Sequence, residues 1–328
     1  DWMSHPITAD SEDTDSDSGD PEAQLRFIVS DQSAVILEEA LEFYDQFAQQ
    51  NANSPKLQRD TAKAYRRSGD MLERLGRYPE AEQAYRRCAE TLLSQIDVME
   101  PRGEVDADLI AETSAVLNRL ALVLHRAYRS EEARQTLDHA RFLVTGQLLR
   151  DADSLACTYE LAQTNSNLGL VLWRLQQGEE STQRHRRAIL LLEGLAEENP
   201  FEAKYRLALA RAYRNYYPIA AVCKERMYSN EIRDSAASIL ERLVADFPSV
   251  PDYQCELSEL LTISPGRGQT NESRRRSDVD RAVQLADDLN REFGSIPRYQ
   301  MALARALTVQ ATLAREASPT NAVQIHQR

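Results

Sequence analysis

Turn formers are scarce in this chain. Its 328 residues include 11 glycines and 12 prolines, too few to reverse the many strands of a β-sandwich or barrel, so an all-β class is excluded. Cysteine is equally sparse. Cys88, Cys157, Cys223 and Cys255 lie far apart with no CxxC pair, which offers neither a disulfide framework nor a zinc site and implies a reduced, cytoplasmic protein. No apolar run approaches the ~18 residues of a membrane helix, and residues 1–22 lack the apolar core of a signal peptide. Positive charge is short too: 39 Lys and Arg stand against 52 Asp and Glu, a net charge of −13. Eight of the acids and none of the bases fall in residues 1–22, which leaves −5 for the rest. A nucleic-acid binder needs a basic stripe, and none is evident.

What is abundant is Ala, Leu, Glu, Arg and Gln, all helix formers, which predicts an all-α protein. Residues 1–24, acidic and serine-rich around SEDTDSDSGD (11–20), hold too little apolar surface to fold and are expected to be disordered. Helical repeats are expected over 31–317. At 318–328 a truncated helix opens, with Ser318 as N-cap and Pro319 as its first residue. A chain beginning at Asp1 is read as a processed form or a fragment of something longer.

Self-similarity defines the architecture. In AKAYRRSGDMLERLGRYPEAEQAYRRCA (62–89), Tyr65, Gly69 and Leu72 share one face of a first helix. Gly76 and Tyr78 form a turn, and Ala81, Tyr85, Cys88 and Ala89 face inward from a second helix. Gly69 and Ala81 are small because antiparallel helices must approach closely there. The pattern returns 52 residues on as Leu117, Leu120, Ala121, Leu124, Ala133, Leu137 and Ala140. It returns 48 further on as Asn165, Leu168, Gly169, Leu172, Ser181, His185 and Ala188. After another 48, Ala236, Leu240 and Leu243 follow Ala188, Leu192 and Leu195; after 46, FPSVPDYQ (247–254) becomes FGSIPRYQ (293–300). Upstream, Ala40, Tyr44, Phe47 and Ala48 match the second helix, so 31–50 reads as a lone capping helix. Units are expected near 31–50, 55–100, 104–150, 152–199, 201–247, 250–294 and 297–317.

These features resemble the tetratricopeptide repeat (TPR). The resemblance implies an all-α, right-handed superhelix, an α-α solenoid of about five to six antiparallel helix pairs. The periods exceed the usual 34 residues, and with few turn residues to fill loops the surplus is assigned to longer helices, ~22 residues or ~33 Å each. In the fourth unit, Asn215-Tyr216-Tyr217 stands where the third has Asn167-Leu168-Gly169. A tyrosine at the close-packing position predicts a splayed pair, and Pro218 predicts a kink or an end. SPGRGQTNESRRRS (264–277) is expected to be a mobile loop, with Arg274-Arg275-Arg276 a solvated cluster.

LEFYDQFAQQN (41–51), SPKLQRDTAKAYRRSGDMLERLGRYPEAEQAYRRCAETL (54–92) and LAQTNSNLGLVLWRLQQGEESTQRHRRAILLLEGLAEENP (161–200) carry a narrower likeness. They resemble the TPR-rich region that follows the kinase domain in many planctomycete serine/threonine protein kinases, over roughly residues 36–263. That resemblance implies a regulatory, partner-binding region whose catalytic domain lies outside this chain. The catalytic parts are not in the sequence: it has no Gly-rich phosphate loop after a strand, no VAIK-type lysine and no HRD loop. Asp246-Phe247-Pro248 resembles a DFG triplet, but Asn199-Pro200 and Glu292-Phe293-Gly294 in the neighbouring units mark it as a repeated helix-end device. Gly266-Arg267-Gly268 follows Pro265 and no strand. His125, His139 and His185 lack HExxH spacing and a carboxylate to complete a metal set. No enzyme, metal or cofactor is expected.

In a stacked array the first helices line a concave groove, and the face opposite their packing residues looks into it. That nominates Lys63, Arg66, Asp70 and Glu73 in the first unit, and Asn118, Leu122 and His125 in the second. It nominates Gln163, Ser166, Leu170 and Trp173 in the third, and Arg211 and Arg214 in the fourth. Arginines for carboxylates and Trp173 as an aromatic anchor suit a protein or peptide partner of acidic or mixed charge, with seam packing the plainer role for Trp173. A Lys/Asn/Arg carboxylate clamp is not expected, because Asp70 replaces the asparagine one turn after Arg66 and Arg119 is the second-unit partner. Arg74, Arg126 and Arg174 recur in register and read as inter-repeat ion pairs or a solvated face. The expected function is a non-catalytic TPR scaffold for protein–protein interaction, with no nucleic acid and no membrane. The alternative is a regulatory fragment of a serine/threonine kinase.

Overall fold

The structure, a computed structural model, describes residues 54–223, 228–263, 272–294 and 296–317. The acidic segment, the 31–50 helix, residues 264–271 of the expected loop and the helix start at 318 lie outside them. Eleven α-helices form among the described residues: α1 (Pro55–Arg74), α2 (Tyr78–Met99), α3 (Ala107–Arg126), α4 (Ser130–Leu148), α5 (Leu155–Arg174), α6 (Gly178–Glu198), α7 (Ala203–Val222), α8 (Ser229–Asp246), α9 (Pro251–Thr262), α10 (Glu272–Glu292) and α11 (Pro297–Ala317).

Local chemistry sets the helix ends. Asp106 Oδ1 accepts from the Leu109 N–H at 2.6 Å and Ser154 Oγ from the Cys157 N–H at 3.3 Å, which caps α3 and α5. Prolines in the first two positions open α1, α2 and α9, where a missing N–H does no harm. Tight turns join α1 to α2, α3 to α4 and α5 to α6, each with one residue in the left-handed region: Gly76, Tyr128 (φ 62°) and Gln176 (φ 63°). The next N–H then reaches back to a carbonyl near the helix end, from Arg77 to Leu72 at 2.9 Å, Arg129 to Leu124 at 3.0 Å and Gln177 to Leu172 at 2.9 Å.

Consecutive helices pair, and each second helix also packs on the next first helix. Successive first helices touch (α3 with α5, α5 with α7, α9 with α11), whereas successive second helices pack less closely, so the array curves with the first helices inside. The fold is a TPR-like α-α solenoid with long helices, from 18 residues in α8 to 22 in α2, apart from the 12-residue α9.

The first four pairs each carry a matched couple sixteen residues apart. Tyr85 lies over Gly69, and His185 lies over Gly169, so closely that a Cβ on either glycine would meet the ring at 2.7 or 2.5 Å. In the second unit the couple is Ala121 and Leu137, both buried. The fourth unit departs from expectation: α7 runs through Pro218 to Val222 and packs along α8 rather than splaying from it. The reason is a reversal of sizes. Tyr217 takes the glycine position and Arg233 the ring position, an unbranched chain that leaves room for the tyrosine. Arg233 is 3% exposed, and its guanidinium leaves the seam to meet Asp278 at 2.6 Å. Tyr216 stacks on His185 with ring centroids 5.3 Å apart.

The expected loop ends earlier than 277, because α10 begins at Glu272. The arginine run is helical, with Arg274 paired to Asp234, Arg275 to Glu316 at 3.5 Å and Arg276 to Glu272 at 3.5 Å. The arginine ladder ties units together. Arg126 reaches back to Glu73 at 2.9 Å and lies over the Tyr78 ring; Arg174 reaches back to the His125 carbonyl at 2.7 Å and lies over the Tyr128 ring. Arg74 goes elsewhere. From the end of α1 it meets Asp252 Oδ2 at the start of α9, 3.4 Å away and four units on.

Candidate functional site on the first helices

Two buried carboxyl groups organise the inner face, in opposite ways. Glu160 on α5 is buried, 9% exposed, and Asn118 on α3 donates from Nδ2 to Glu160 Oε2 at 3.1 Å and to Thr164 Oγ1 at 3.0 Å. Asn167 Nδ2 donates in turn to Asn118 Oδ1 at 3.2 Å. Burial pushes the Glu160 carboxyl up to about 7, against the pull of the Asn118 hydrogen bond and of Arg119 and Arg66.

Glu256 on α9 is just as enclosed but fully ionised. Arg211 Nε meets it at 2.9 Å, Arg298 Nη2 at 2.6 Å, and Arg214 binds the other oxygen. Burial alone would raise this carboxyl, but the Arg211, Arg214 and Arg298 guanidinium groups hold it well below the usual carboxylate range. Arg214 also pairs with Glu259 at 2.6 Å. Arg298 and the donating Tyr299 hydroxyl reach Asp252 at 3.3 and 3.0 Å. Counting Arg74, arginines from α1, α7 and α11 thus converge on three acids of α9.

The nominated groove residues divide accordingly. Lys63 is exposed and Arg66 half-buried. Asp70 and Glu73 accept the Tyr85 hydroxyl at 2.7 and 3.1 Å, and Glu73 also holds Arg126. Asn118, in the seam between α3 and α5, and Ser166 are both buried, 5% and 4% exposed. Leu122, Gln163 and Leu170 are half-buried, with Gln163 donating to the Tyr159 hydroxyl at 3.3 Å. His125 is half-buried, its ring pushed down to about 4 by burial and then by Arg174 and Arg126. Trp173 is 38% exposed, with its ring edge against the turn at Gly178. Arg211 and Arg214 belong to the Glu256 cluster.

Glu160, Asp252, Glu256, Glu259 and Arg298 were not anticipated. A faint signal existed: Glu256 sits between Cys255 and Leu257 and one turn after Tyr253, on a face where a charge must find partners. Among the described residues, no three His, Cys, Asp or Glu side chains gather as metal ligands would, and no described helix is long and apolar enough to cross a membrane.

No family model and no curated protein matches the chain. Among solved structures it is similar to BtubC (BKLC) from P. vanneervenii, at 15% identity over 86% of this chain and 91% of that one, with a TM-score of 0.42. It is also similar to PilF of Pseudomonas aeruginosa (18% identity, 75% and 98% covered, TM-score 0.28). Yeast Tom70 is a third (13% identity, 91% and 63% covered, TM-score 0.28). The fold assignment rests on the helix pairs themselves.

Proposed function

We propose that the chain is a non-catalytic, cytoplasmic scaffold that binds a peptide or partner protein of acidic or mixed charge along its first helices. The observation that carries this reading is the inner face itself: successive first helices touch along the array, and Lys63, Arg66 and Trp173 remain at least part-exposed on them. Lys63 and Arg66 offer positive charge to a partner carboxylate, and the exposed edge of Trp173 offers an apolar anchor on α5. Arg211 and Arg214, neutralised by Glu256 and Glu259, support the shape of the face rather than direct recognition. A regulatory role beside a kinase domain rests on the sequence resemblance alone.

The test is a pull-down from lysate with the parent chain and an Arg66→Glu/Trp173→Ala variant, both substitutions lying outside the Glu256 cluster. A partner held by the parent and lost by the variant is expected. Equal retention by both would place binding off this face.

A further inference from the structure

The outer face carries a second feature, independent of the groove. Phe142 on α4 and Leu190 on α6 occupy the same repeat position, 48 residues apart, and stand 75% and 59% exposed. One turn after each comes a glycine, Gly146 and Gly194. Unlike Gly69 and Gly169, neither is required by the fold: a Cβ added to Gly146 or Gly194 would meet nothing within 4 Å. Each of these second helices therefore presents a bulky apolar knob followed by an open notch.

The charges along α6 extend the pattern. Arg187 lies one turn before Leu190 and Glu197 one turn after Gly194, both exposed and on the same stripe. The neighbouring Arg186 hydrogen-bonds the Tyr216 hydroxyl and plays no part. Read backwards, the stripe is complementary to itself: base, knob, notch, acid against acid, notch, knob, base.

We infer that this face is a docking surface for a second copy of the chain, set antiparallel across a two-fold axis between Leu190 and Gly194. That placement seats Leu190 over Gly194 of the partner subunit and Arg187 beside Glu197 of the partner subunit, with each contact made twice. Because α4 repeats the spacing of α6, the same axis sets Phe142 over Gly146 of the partner subunit. Knobs fill notches that the monomer leaves empty, apolar surface is removed from water, and opposite charges meet at the ends.

Sedimentation equilibrium over a range of concentrations tests this, with circular dichroism to confirm folding. The parent is expected to dimerise, Leu190→Glu to be monomeric, and the single reversals Arg187→Glu and Glu197→Arg each to weaken association at least tenfold. The decisive arms combine the reversals. An Arg187→Glu/Glu197→Arg double variant restores the pairing, and a mixture of the two single variants forms heterodimers, since one brings two acids and the other two bases. A parent monomeric at every concentration would overturn the proposal, as would a dimer indifferent to Leu190→Glu or a double variant no tighter than the singles.

Discussion

Glu160 and Glu256 are both buried, yet an amide holds one and three arginines the other, and their responses to pH are opposite. The folded state raises the Glu160 carboxyl to about 7 from an ordinary 4.5. Its favourable contribution is therefore complete below pH 4.5 and is lost as pH rises through 7. Glu160→Gln should equal the parent below pH 4.5 and exceed it in stability above pH 7, by on the order of 3 kcal/mol. Urea titrations at several pH values check this, and a constant difference across pH would show that Glu160 does not ionise in place. Glu256 runs the other way: its depressed carboxyl contributes above pH 4.5, and that contribution fades as pH falls. His185 adds to the acid side. Burial lowers its ring to about 3 and neither nitrogen has a hydrogen-bond partner, so stability declines as pH falls from 6.5 toward 3. Tyr85 in the same position is better placed, because its hydroxyl finds Asp70 and Glu73 where the third unit has Leu170 and Trp173.

At the scale of elements, α7 shows how packing overrides a local signal. Pro218 lacks the N–H that a helix interior needs, and the break it predicts does not occur because Tyr216, Tyr217, Ile219 and Ala220 are all buried around it. Pro218 itself is exposed. Replacing it by Ala should therefore restore a hydrogen bond without disturbing the core, raising stability by about 1–3 kcal/mol; a thermal melt that fails to rise would mean the proline sets a necessary bend. The helix pairs and their lengths were legible in the sequence, since Gly69 and Gly169, small residues opposite large ones, recur with the repeat. The reversed couple of Tyr217 and Arg233 was not, because a tyrosine at a close-packing position is readable only beside its partner on the next helix. The inner acids were hidden for a related reason. The arginines that neutralise Glu256 come from α7 and α11, 42 to 45 residues away, and no spacing within one helix announces them.

For the whole molecule, one contact bridges units far apart in the array. Arg74 and Asp252 join the first unit to the fifth, with the arginine side chain 35% and the aspartate 10% exposed. Such a pair contributes less than about 1 kcal/mol to stability, but it spans the array. Arg74→Ala should leave the helix content unchanged and increase the radius of gyration in small-angle X-ray scattering, and high salt should move the parent the same way. An unchanged radius would assign the curvature to helix packing alone.

An open solenoid behaves like a line of dominoes: each unit feels its neighbours, and unfolding that begins at one end travels inward. The Arg74–Asp252 contact joins that line into a loop. Fraying of α1 then removes a contact of α9 as well, so the first and fifth units are coupled directly. A mutation at the end of the first helix thus reaches the fifth unit by a second route, besides the one through the units between.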